Sequence, residues 1–333
     1  MNKTLNNISN LTVKILPTLS DYEAGKKYHK WSFVNIYSLK NLKDIYLISG
    51  MVEKKEVRHI TNKVNDVIKP KVKWEERKVL EYLNALVKFG LIDADYNFIG
   101  EHFASSIIND ELTNDDINTL TNIFFGYFRF KELSCWFVSP DNDSNYNLEH
   151  LSKTDYIYNS NPLFFYISER NRFTDTFFTD IASNSTKYII ESDTVMRFWD
   201  VFLKWGVTLN ILDKFNLSKV TEKPPLNKEI SMAYFIIPFE KFDLIEFVKE
   251  NFESRHIWIP ELIFKIVKRY RYSVTEIKAF ISSEVLSSNK LTYERTSEIF
   301  LIKGKTNKKN IESATYLFPK INDSYISNLI LRK

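Results

Sequence analysis

The chain has 333 residues, 44% of them hydrophobic and 26% charged, and a formal net charge of +4. This length and composition suit about two domains, or three small ones, each with its own hydrophobic core. The single cysteine, Cys135, excludes an intramolecular disulfide and a thiolate zinc cluster, and none of the seven glycines has the spacing of a Rossmann or P-loop phosphate-binding turn.

The N-terminal residues 1–10 are polar and rich in asparagine, and they lack the hydrophobic region of a secretory signal peptide. No apolar run in the sequence approaches the roughly 18 residues that a membrane span needs. We therefore expect a cytoplasmic protein with no membrane partner, and the single cysteine agrees with a reducing compartment.

Residues 1–38 are expected to be extended. Residues 11–16 have strand propensity, and residues 31–37 can pair with them. A helix is predicted over residues 39–48, because their apolar side chains follow a helical period and Gly50 can end the helix.

A basic and polar stretch follows at residues 53–73, and the next helix is predicted from about Trp74. Gly90 is placed to end this helix in a left-handed conformation. Residues 91–99 are predicted to form a hairpin with its turn at residues 93–97.

The middle of the chain, residues 104–190, is predicted to be mostly helical and rich in aromatic residues, with Asp115 and Asp116 as caps of one helix. Residues 115–200 carry 13 acidic and 7 basic side chains, whereas residues 201–333 carry 15 acidic and 22 basic ones. Basic ends around an acidic middle suggest an anionic partner at the ends. The middle suits an interface with a protein partner or with a second copy of the chain.

The apolar pattern of residues 82–91 recurs in residues 198–207 at an offset of 116, with Gly206 in the place of Gly90. The repeat predicts a second amphipathic helix that begins near Ser192 and stops at Gly206.

A second hairpin is predicted after this helix, with strands at residues 207–212 and 217–221. Pro224 and Pro225 then indicate a linker.

Residues 232–333 are predicted to form a third unit. Helices are expected over residues 239–252, from Pro260 in a first helical turn, and from the capping box at residues 273–276. Two strands and a basic loop are expected to follow, over residues 291–296, 298–302 and 303–309.

The helix, the sequence Lys-Phe-Gly-Leu-Ile-Asp, the polar turn and the Phe-Ile pair within residues 83–103 resemble the recognition helix and wing of prokaryotic winged-helix DNA-binding proteins. The resemblance is partial and covers about residues 39–103, 192–222 and 239–310. It implies a mainly α fold with short β-hairpins, of class α+β, with two or three winged-helix-like modules around a helical, aromatic-rich middle. The domains are expected at residues 1–110, 111–223 and 224–333.

Basic clusters are the candidate DNA-binding residues, because cations that follow a nucleic-acid backbone bind its phosphates. The first cluster consists of Lys54, Lys55, Arg58, Lys63, Lys69, Lys71, Lys73, Arg77 and Lys78. The second consists of Lys265, Lys268, Arg269 and Arg271. The third, on the expected loop of the third unit, consists of Lys303, Lys305, Lys308 and Lys309.

The sequence thus predicts a non-enzymatic, double-stranded DNA-binding component of a prokaryotic multi-subunit system, which serves genome defence, restriction or transcription regulation. The alternative is a tandem winged-helix scaffold that binds the protein partners of an ATPase or nuclease complex.

No catalytic, metal or cofactor site is predicted. The five histidines are scattered, and the sequence has neither HExxH nor CxxC. A Mg²⁺-dependent nuclease is the enzymatic alternative, with Asp141, Glu276 and Lys278 as its acid and Glu-x-Lys residues. Against it, Glu276 is expected to open a helix and Asp141 to lie in a polar loop.

Overall fold

The computed structural model describes residues 33–127, 130, 164–166, 192–216, 231–295 and 316–332. The chain divides into two compact units. The first comprises residues 1–162 and 169–212, and the second comprises residues 163–168 and 213–333. Each is described by itself. The three domains expected from the sequence stay a prediction.

The described residues form eight helices and two small sheets, an α+β architecture. Those of the first unit are α1 (Leu39–Gly50), α2 (Val57–Ile68), α3 (Glu76–Lys88), α4 (Asn114–Gly126) and α5 (Ser192–Thr208). The strands β1 (Phe164–Tyr166), β2 (Leu212–Asn216) and β3 (Ser231–Phe235) follow. The rest are α6 (Leu244–Asn251), β4 (His256–Trp258), α7 (Ile259–Tyr270), α8 (Val274–Ser287), β5 (Leu291–Arg295), β6 (Lys320–Ile321) and β7 (Ser324–Leu331).

Helices α1, α2 and α3 form a three-helix unit in which each helix contacts the other two. The predicted helix over residues 39–48 is confirmed as α1, with Ser38 accepting a hydrogen bond from the Asn41 N–H (3.2 Å) as its N-cap. Helix α2 was not predicted: residues 53–73 were expected to be only a polar stretch. Its apolar residues Ile60 and Val64 are fully buried, one helical turn apart, and hold it against its neighbours.

Gly90 ends α3 as predicted. Its φ is +70°, its N–H donates to the carbonyl of Val87 (3.0 Å), and the Leu91 N–H donates to the carbonyl of Leu86 (2.9 Å). These two bonds are the Schellman motif, which satisfies the last carbonyls of a helix and requires a left-handed residue at the glycine position.

The predicted hairpin follows directly, but it is closed by a single β-bridge and lacks the two strands that were expected. Ile92 forms an antiparallel bridge with Phe98, and the Ile99 N–H donates to the carbonyl of Leu91 (3.0 Å). The carboxylate of Asp93 accepts hydrogen bonds across the turn, including one from the Asn97 N–H (2.8 Å). The turn is therefore held by its own backbone and side chains.

Helix α4 confirms the predicted start near Asp115 and Asp116, although the cap itself is Thr113. The Thr113 hydroxyl accepts from the Asp116 N–H (3.2 Å), and the Asp116 carboxylate accepts from the Thr113 N–H (2.8 Å). This is a reciprocal capping box.

Aromatic rings join α4 to α5. Phe124 lies 5.2 Å from Phe202, and Phe130 lies 5.5 Å from Trp205, measured between ring centroids. Phe124, Phe130, Phe202 and Trp205 are all buried.

Of the middle predicted to be mostly helical, residues 104–190, α4 is a helix, whereas residues 104–113 are irregular and residues 164–166 form the strand β1, so the prediction is wrong at those positions. Residues 128–129, 131–163 and 167–190 lie outside the described residues.

The strand expected over residues 31–37 is wrong for its described part, residues 33–37, which are neither helix nor strand. Side chains take the place of a partner strand. The Val34 N–H donates to the Tyr127 hydroxyl (3.0 Å), and the carbonyl of Ile36 accepts from Trp205 Nε1 (2.7 Å). The expected partner, residues 11–16, lies outside the described residues.

Gly206 does not stop α5, which corrects the prediction from the repeat. The helix continues to Thr208 and ends in a Schellman motif at Asn210, whose φ is +55°. The Asn210 N–H donates to the carbonyl of Val207 (3.2 Å), and the Ile211 N–H donates to that of Gly206 (2.8 Å). Asn210 therefore occupies the position that Gly90 has in α3.

A different constraint acts on residue 206. A Cβ there would overlap the side chain of Leu212, so the site needs close packing rather than a left-handed backbone. The strand expected over residues 207–212 is wrong except at Leu212, where β2 begins, and the expected return strand at residues 217–221 lies outside the described residues.

The three strands β1, β2 and β3 form a sheet in the order β1-β3-β2. Strands β1 and β3 are antiparallel, and Phe164 of β1 pairs with Tyr234 of β3. The hydroxyl of Tyr234 donates to the carbonyl of Tyr272 (3.0 Å), which ties this sheet to the chain between α7 and α8.

A second sheet has the order β4-β7-β5, and β6 forms a hairpin with β7. In chain order, β4 directly precedes α7 and β5 directly follows α8. Both of these strands pair with β7. The predicted strand over residues 291–296 is confirmed as β5. The predicted strand at residues 298–302 and the basic loop at residues 303–309 lie outside the described residues.

The predicted starts of the last two helices are confirmed. Pro260 lies in the first turn of α7, and Ser273 caps α8 by accepting from the Glu276 N–H (3.2 Å). Helix α6 starts later than predicted, at Leu244 instead of residue 239. The Asp243 carboxylate accepts from the N–H groups of Ile245 and Glu246 (2.9 Å each) and so fixes the start of the helix there.

Among the helices that the structure describes, none combines the length and the apolar character that a membrane crossing requires.

Candidate nucleic-acid interface

Five cations of the first predicted cluster lie on α2 and on the turn that connects it to α3. All five are exposed, and none has an ion-pair partner among the described residues. They are Arg58, Lys63, Lys69, Lys71 and Lys73, and we call them the turn cations. The exposed Asp66 of α2 lies three residues from Lys63 and from Lys69 but is not within ion-pair distance of either. The five charges are therefore available to an anionic ligand.

The turn that carries three of these cations is held in one conformation. Lys69 ends α2 in the left-handed region, with φ +48°, and its N–H donates to the carbonyl of Asn65 (3.2 Å). The Asn65 side chain accepts from the Trp74 N–H (2.7 Å) and donates to the Trp74 carbonyl (3.0 Å). Lys71 and Lys73 therefore lie between two fixed points.

Trp74 is itself anchored. Its ring stacks on Tyr82, with centroids 5.7 Å apart and planes inclined by 18°, and the ammonium of Lys78 lies 3.6 Å from its ring centroid. Burial against this surface lowers the pKa of Lys78. Lys78 was predicted to bind phosphate, but the structure uses its charge in a cation–π contact.

Three other members of the first cluster are engaged within the unit. Lys54 pairs with Glu56 (2.8 Å), and the ammonium of Lys55 donates to the carbonyl of Ser49 (2.5 Å). Arg77 lies 3.9 Å from the carboxylate of Glu81. These residues contribute less free charge than the turn cations do.

The exposed face of α3 is not basic overall. Its cations alternate with the exposed carboxylates of Glu75, Glu76 and Glu81. The hairpin turn carries Asp93 and Asp95 and no cation, and the hydrogen bond from the Asn97 backbone is the largest of the effects that lower the pKa of Asp93. The carboxylates of Asp93 and Asp95 repel a phosphate. Positive charge in the three-helix unit is therefore concentrated on α2 and the α2–α3 turn.

The second predicted cluster is largely occupied. The Lys265 ammonium donates to the carbonyl of Asn251 (2.6 Å), and Arg269 pairs with Glu250 (2.8 Å). Arg271, the left-handed C-cap of α7, is only 4% exposed and lies in the core of its unit. Lys268 alone is exposed without an ion pair, above the ring of Phe264 at 5.6 Å.

The third predicted cluster, Lys303, Lys305, Lys308 and Lys309, lies outside the described residues.

The arrangement proposed for a nuclease is not brought together by the described residues. Glu276 lies at the start of α8, where its carboxylate accepts from the Ser273 hydroxyl (2.8 Å), and Asp141 lies outside the described residues. Within the described ranges no group of three or more His, Cys, Asp or Glu side chains is placed to hold a metal ion.

Sequence reasoning missed the two residues that organise the turn, Asn65 and Trp74. Their pairing was hidden because α2 itself was missed. The signal was present: Val57, Ile60, Val64 and Ile68 follow the helical spacing of three and four residues, and a tryptophan then interrupts a run of lysines.

Compared with models of protein families, with curated proteins and with solved structures, the chain matches none of them.

Proposed function

We propose that this chain binds double-stranded DNA, with the turn cations contacting the phosphates. The observation that carries the proposal is the group of five exposed, unpaired cations on α2 and on a turn held by the Asn65–Trp74 hydrogen bonds. Such cations gain free energy by releasing the counterions of a duplex. A fixed turn also loses little conformational entropy when it binds.

The order of elements supports this proposal. Helices α1, α2 and α3 followed by a hairpin have the order of the winged-helix proteins that the sequence resembles, in which the third helix enters the major groove. Helices α6, α7 and α8 followed by β5 and β7 repeat that order in the second unit. The proposal therefore keeps the winged-helix resemblance for residues 39–103 and 239–310, and it does not extend to α5.

We further propose that binding is weakly dependent on base sequence. The exposed acids Glu75, Glu76 and Glu81 lie on the helix that would read bases, and they oppose its approach to the phosphates. Phosphate contacts fix the position of a protein on the duplex, but they do not depend on the base sequence. A role as a DNA-docking component of a prokaryotic multi-subunit system, in defence, restriction or transcription, is compatible with such binding.

A scaffold is the second candidate function, and one observation favours it. Met51, Phe98 and Ile99 are 57%, 43% and 49% exposed, and a Cβ at Gly50 would meet the ring of Phe98, so exposed apolar side chains lie near the acidic hairpin turn. An apolar surface next to acids suits a protein partner better than a phosphate backbone.

Duplex binding at several salt concentrations tests the proposal. Affinities of the full chain for two unrelated 20-base-pair duplexes are measured between 50 and 200 mM salt. Five phosphate contacts predict a slope of about −4 to −5 in log affinity against log salt, equal for both duplexes. A folded protein that binds neither duplex at 50 mM salt contradicts the proposal and favours the scaffold.

A further inference from the structure

A cavity of about 510 Å³ lies in the second unit, where α8 faces the β6–β7 hairpin and the chain before it. Its volume falls in the roughly 300–1,000 Å³ range of small-ligand pockets. The side chains that give it chemical character are Lys278, Lys320, Tyr316, Phe318 and Tyr325. It has no role in the proposed binding of a duplex by the first unit.

The aromatic side chains of the cavity are fixed by contacts outside it. Phe318 packs edge-to-face on Trp258, with ring centroids 5.4 Å apart and planes inclined by 73°. The Tyr316 hydroxyl donates to the carbonyl of Lys214 (2.9 Å). Tyr316 and Phe318 are only half-buried despite these contacts, so part of each ring remains open to a ligand.

The two lysines lack acceptors. The ammonium of Lys278, on α8, is half-buried, and neither it nor that of Lys320 forms a hydrogen bond or ion pair among the described residues. Lys320 lies over the Tyr325 ring at 4.8 Å. Burial is the main cause of the lowered pKa of Lys278, and it outweighs the attraction of Tyr325 and Asp213.

The nearby carboxylate of Asp213 does not bond to Lys278. It accepts from the N–H of Val274 (2.8 Å), and from the N–H of Lys214 (2.7 Å) through its other oxygen. A partly desolvated cation without a hydrogen-bond acceptor is costly, and an anionic ligand would remove that cost.

We propose that this cavity binds a nucleotide of a single-stranded nucleic acid, with the phosphate at Lys278 and Lys320 and the base on the aromatic rings. Cations beside aromatic rings are the recurring means of binding single strands without base readout. Three hydroxyls line the cavity, those of Tyr316, Tyr325 and Ser282. Two of them already donate to backbone carbonyls, that of Tyr316 to Lys214 (2.9 Å) and that of Ser282 to Lys320 (3.2 Å). Aromatic faces and charge therefore dominate the lining, and both tolerate any base.

The test measures the affinity of the full chain for a fluorescent 12-residue oligothymidylate by polarisation, with excess unlabelled duplex present to occupy the turn cations. The variants are Lys278→Met and Lys320→Gln. The matched control is Lys290→Met, because Lys290 is exposed in the same unit and its ammonium has no partner among the described residues. Circular dichroism verifies that each variant is folded.

We expect each cavity variant to weaken strand binding at least fivefold and Lys290→Met to leave it within twofold. Thymidine monophosphate and inorganic phosphate should compete only at concentrations far above that of the strand. The proposal is overturned if Lys278→Met and Lys320→Gln both bind the strand with the affinity of the natural protein. It is also overturned if Lys290→Met loses as much affinity as the cavity variants do. Equal competition by the free nucleotide overturns the assignment to a strand. The excess duplex serves only to keep the labelled strand off the turn cations. The result for the cavity variants therefore does not depend on whether the first unit binds duplex.

Discussion

The side-chain amide of Asn65 bonds both backbone polar groups of Trp74, accepting from its N–H at 2.7 Å and donating to its carbonyl at 3.0 Å. The last turn of α2 is thereby joined to Trp74, two residues before α3, and the intervening residues 69–73 form a closed loop. This loop carries three of the five turn cations, so the Asn65–Trp74 pair connects the fold of the first unit to its proposed function.

Asn65→Ala removes both hydrogen bonds and leaves the partly buried polar groups of Trp74 without their partner. We expect the free energy of unfolding to fall by about 1–3 kcal/mol. Asn62→Ala is the control, because Asn62 is exposed on the same helix and its side chain has no hydrogen bond among the described residues. Urea denaturation measures both variants, and equal stabilities would show that the pair does not hold the turn.

Gly90→Ala places a Cβ on a residue with φ +70°, and we expect a loss of roughly 1–2 kcal/mol in the free energy of unfolding. Gly126→Ala should do the opposite. Gly126 lies at the end of α4, nothing lies within 4 Å of a Cβ built there, and its φ is not positive. The alanine should stabilise the protein by roughly 0.5–1 kcal/mol. Chemical denaturation that shifts both midpoints in the same direction would contradict the assigned roles.

Lys43→Met tests a buried ion pair. The fully buried ammonium of Lys43 donates to the carbonyls of Ile107 and Asp110 (3.1 Å each) and lies 3.8 Å from the buried carboxylate of Asp116. Its removal leaves that carboxylate without its cation, and we expect a loss of about 3–5 kcal/mol. Lys63→Met, at an exposed and unpaired position, should change stability by less than about 0.5 kcal/mol. A loss below 1 kcal/mol in Lys43→Met would argue against a structural ion pair.

Asp213→Asn should change the dependence of stability on pH. Burial raises the pKa of Asp213 above its ordinary value of 3.8, against the opposing effect of its backbone hydrogen bonds. The folded state thus favours the protonated acid. This contribution is complete below the unfolded pKa and is lost as the pH rises through the folded one.

Asparagine cannot ionise. The free energy of unfolding of Asp213→Asn, relative to that of the natural protein, should therefore increase between about pH 4 and pH 7. Urea titrations at three pH values measure this difference. A difference that stays constant would show that Asp213 has no raised pKa in the folded state.

Local signals predicted the parts of the fold that depend on one residue and its neighbours. Gly90 ends α3, Pro260 lies in the first turn of α7 and Ser273 caps α8, because a left-handed stop, a missing N–H and a capping hydroxyl act within one helical turn. These predictions hold because tertiary contacts do not override the local preference at these three positions.

The repeat at Gly206 failed because tertiary packing sets that position. Leu212 lies against Gly206, and Asn210, which tolerates the left-handed region, ends the helix instead. A matching glycine in the sequence does not reveal which of these two constraints acts on it.

The candidate site was predicted as a basic segment but not as a structure. Its residue types were visible, whereas the ion pairs of Lys54 and Arg77 and the cation–π contact of Lys78 depend on side chains that only the fold brings together. Of the nine cations in the first predicted cluster, the structure therefore leaves the five turn cations as candidates for phosphate binding.

The central claim is that the turn cations bind duplex phosphates, and a charge-matched comparison tests it most directly. One variant carries Lys69→Gln, Lys71→Gln and Lys73→Gln, and the control carries Lys249→Gln, Arg255→Gln and Lys290→Gln, which remove the same charge from exposed cations of the second unit. We predict that the turn variant loses about 2.5–3 units of the slope of log affinity against log salt, and that the control keeps the natural slope. Equal slopes in the two variants, or an unchanged slope in the turn variant, would contradict the claim.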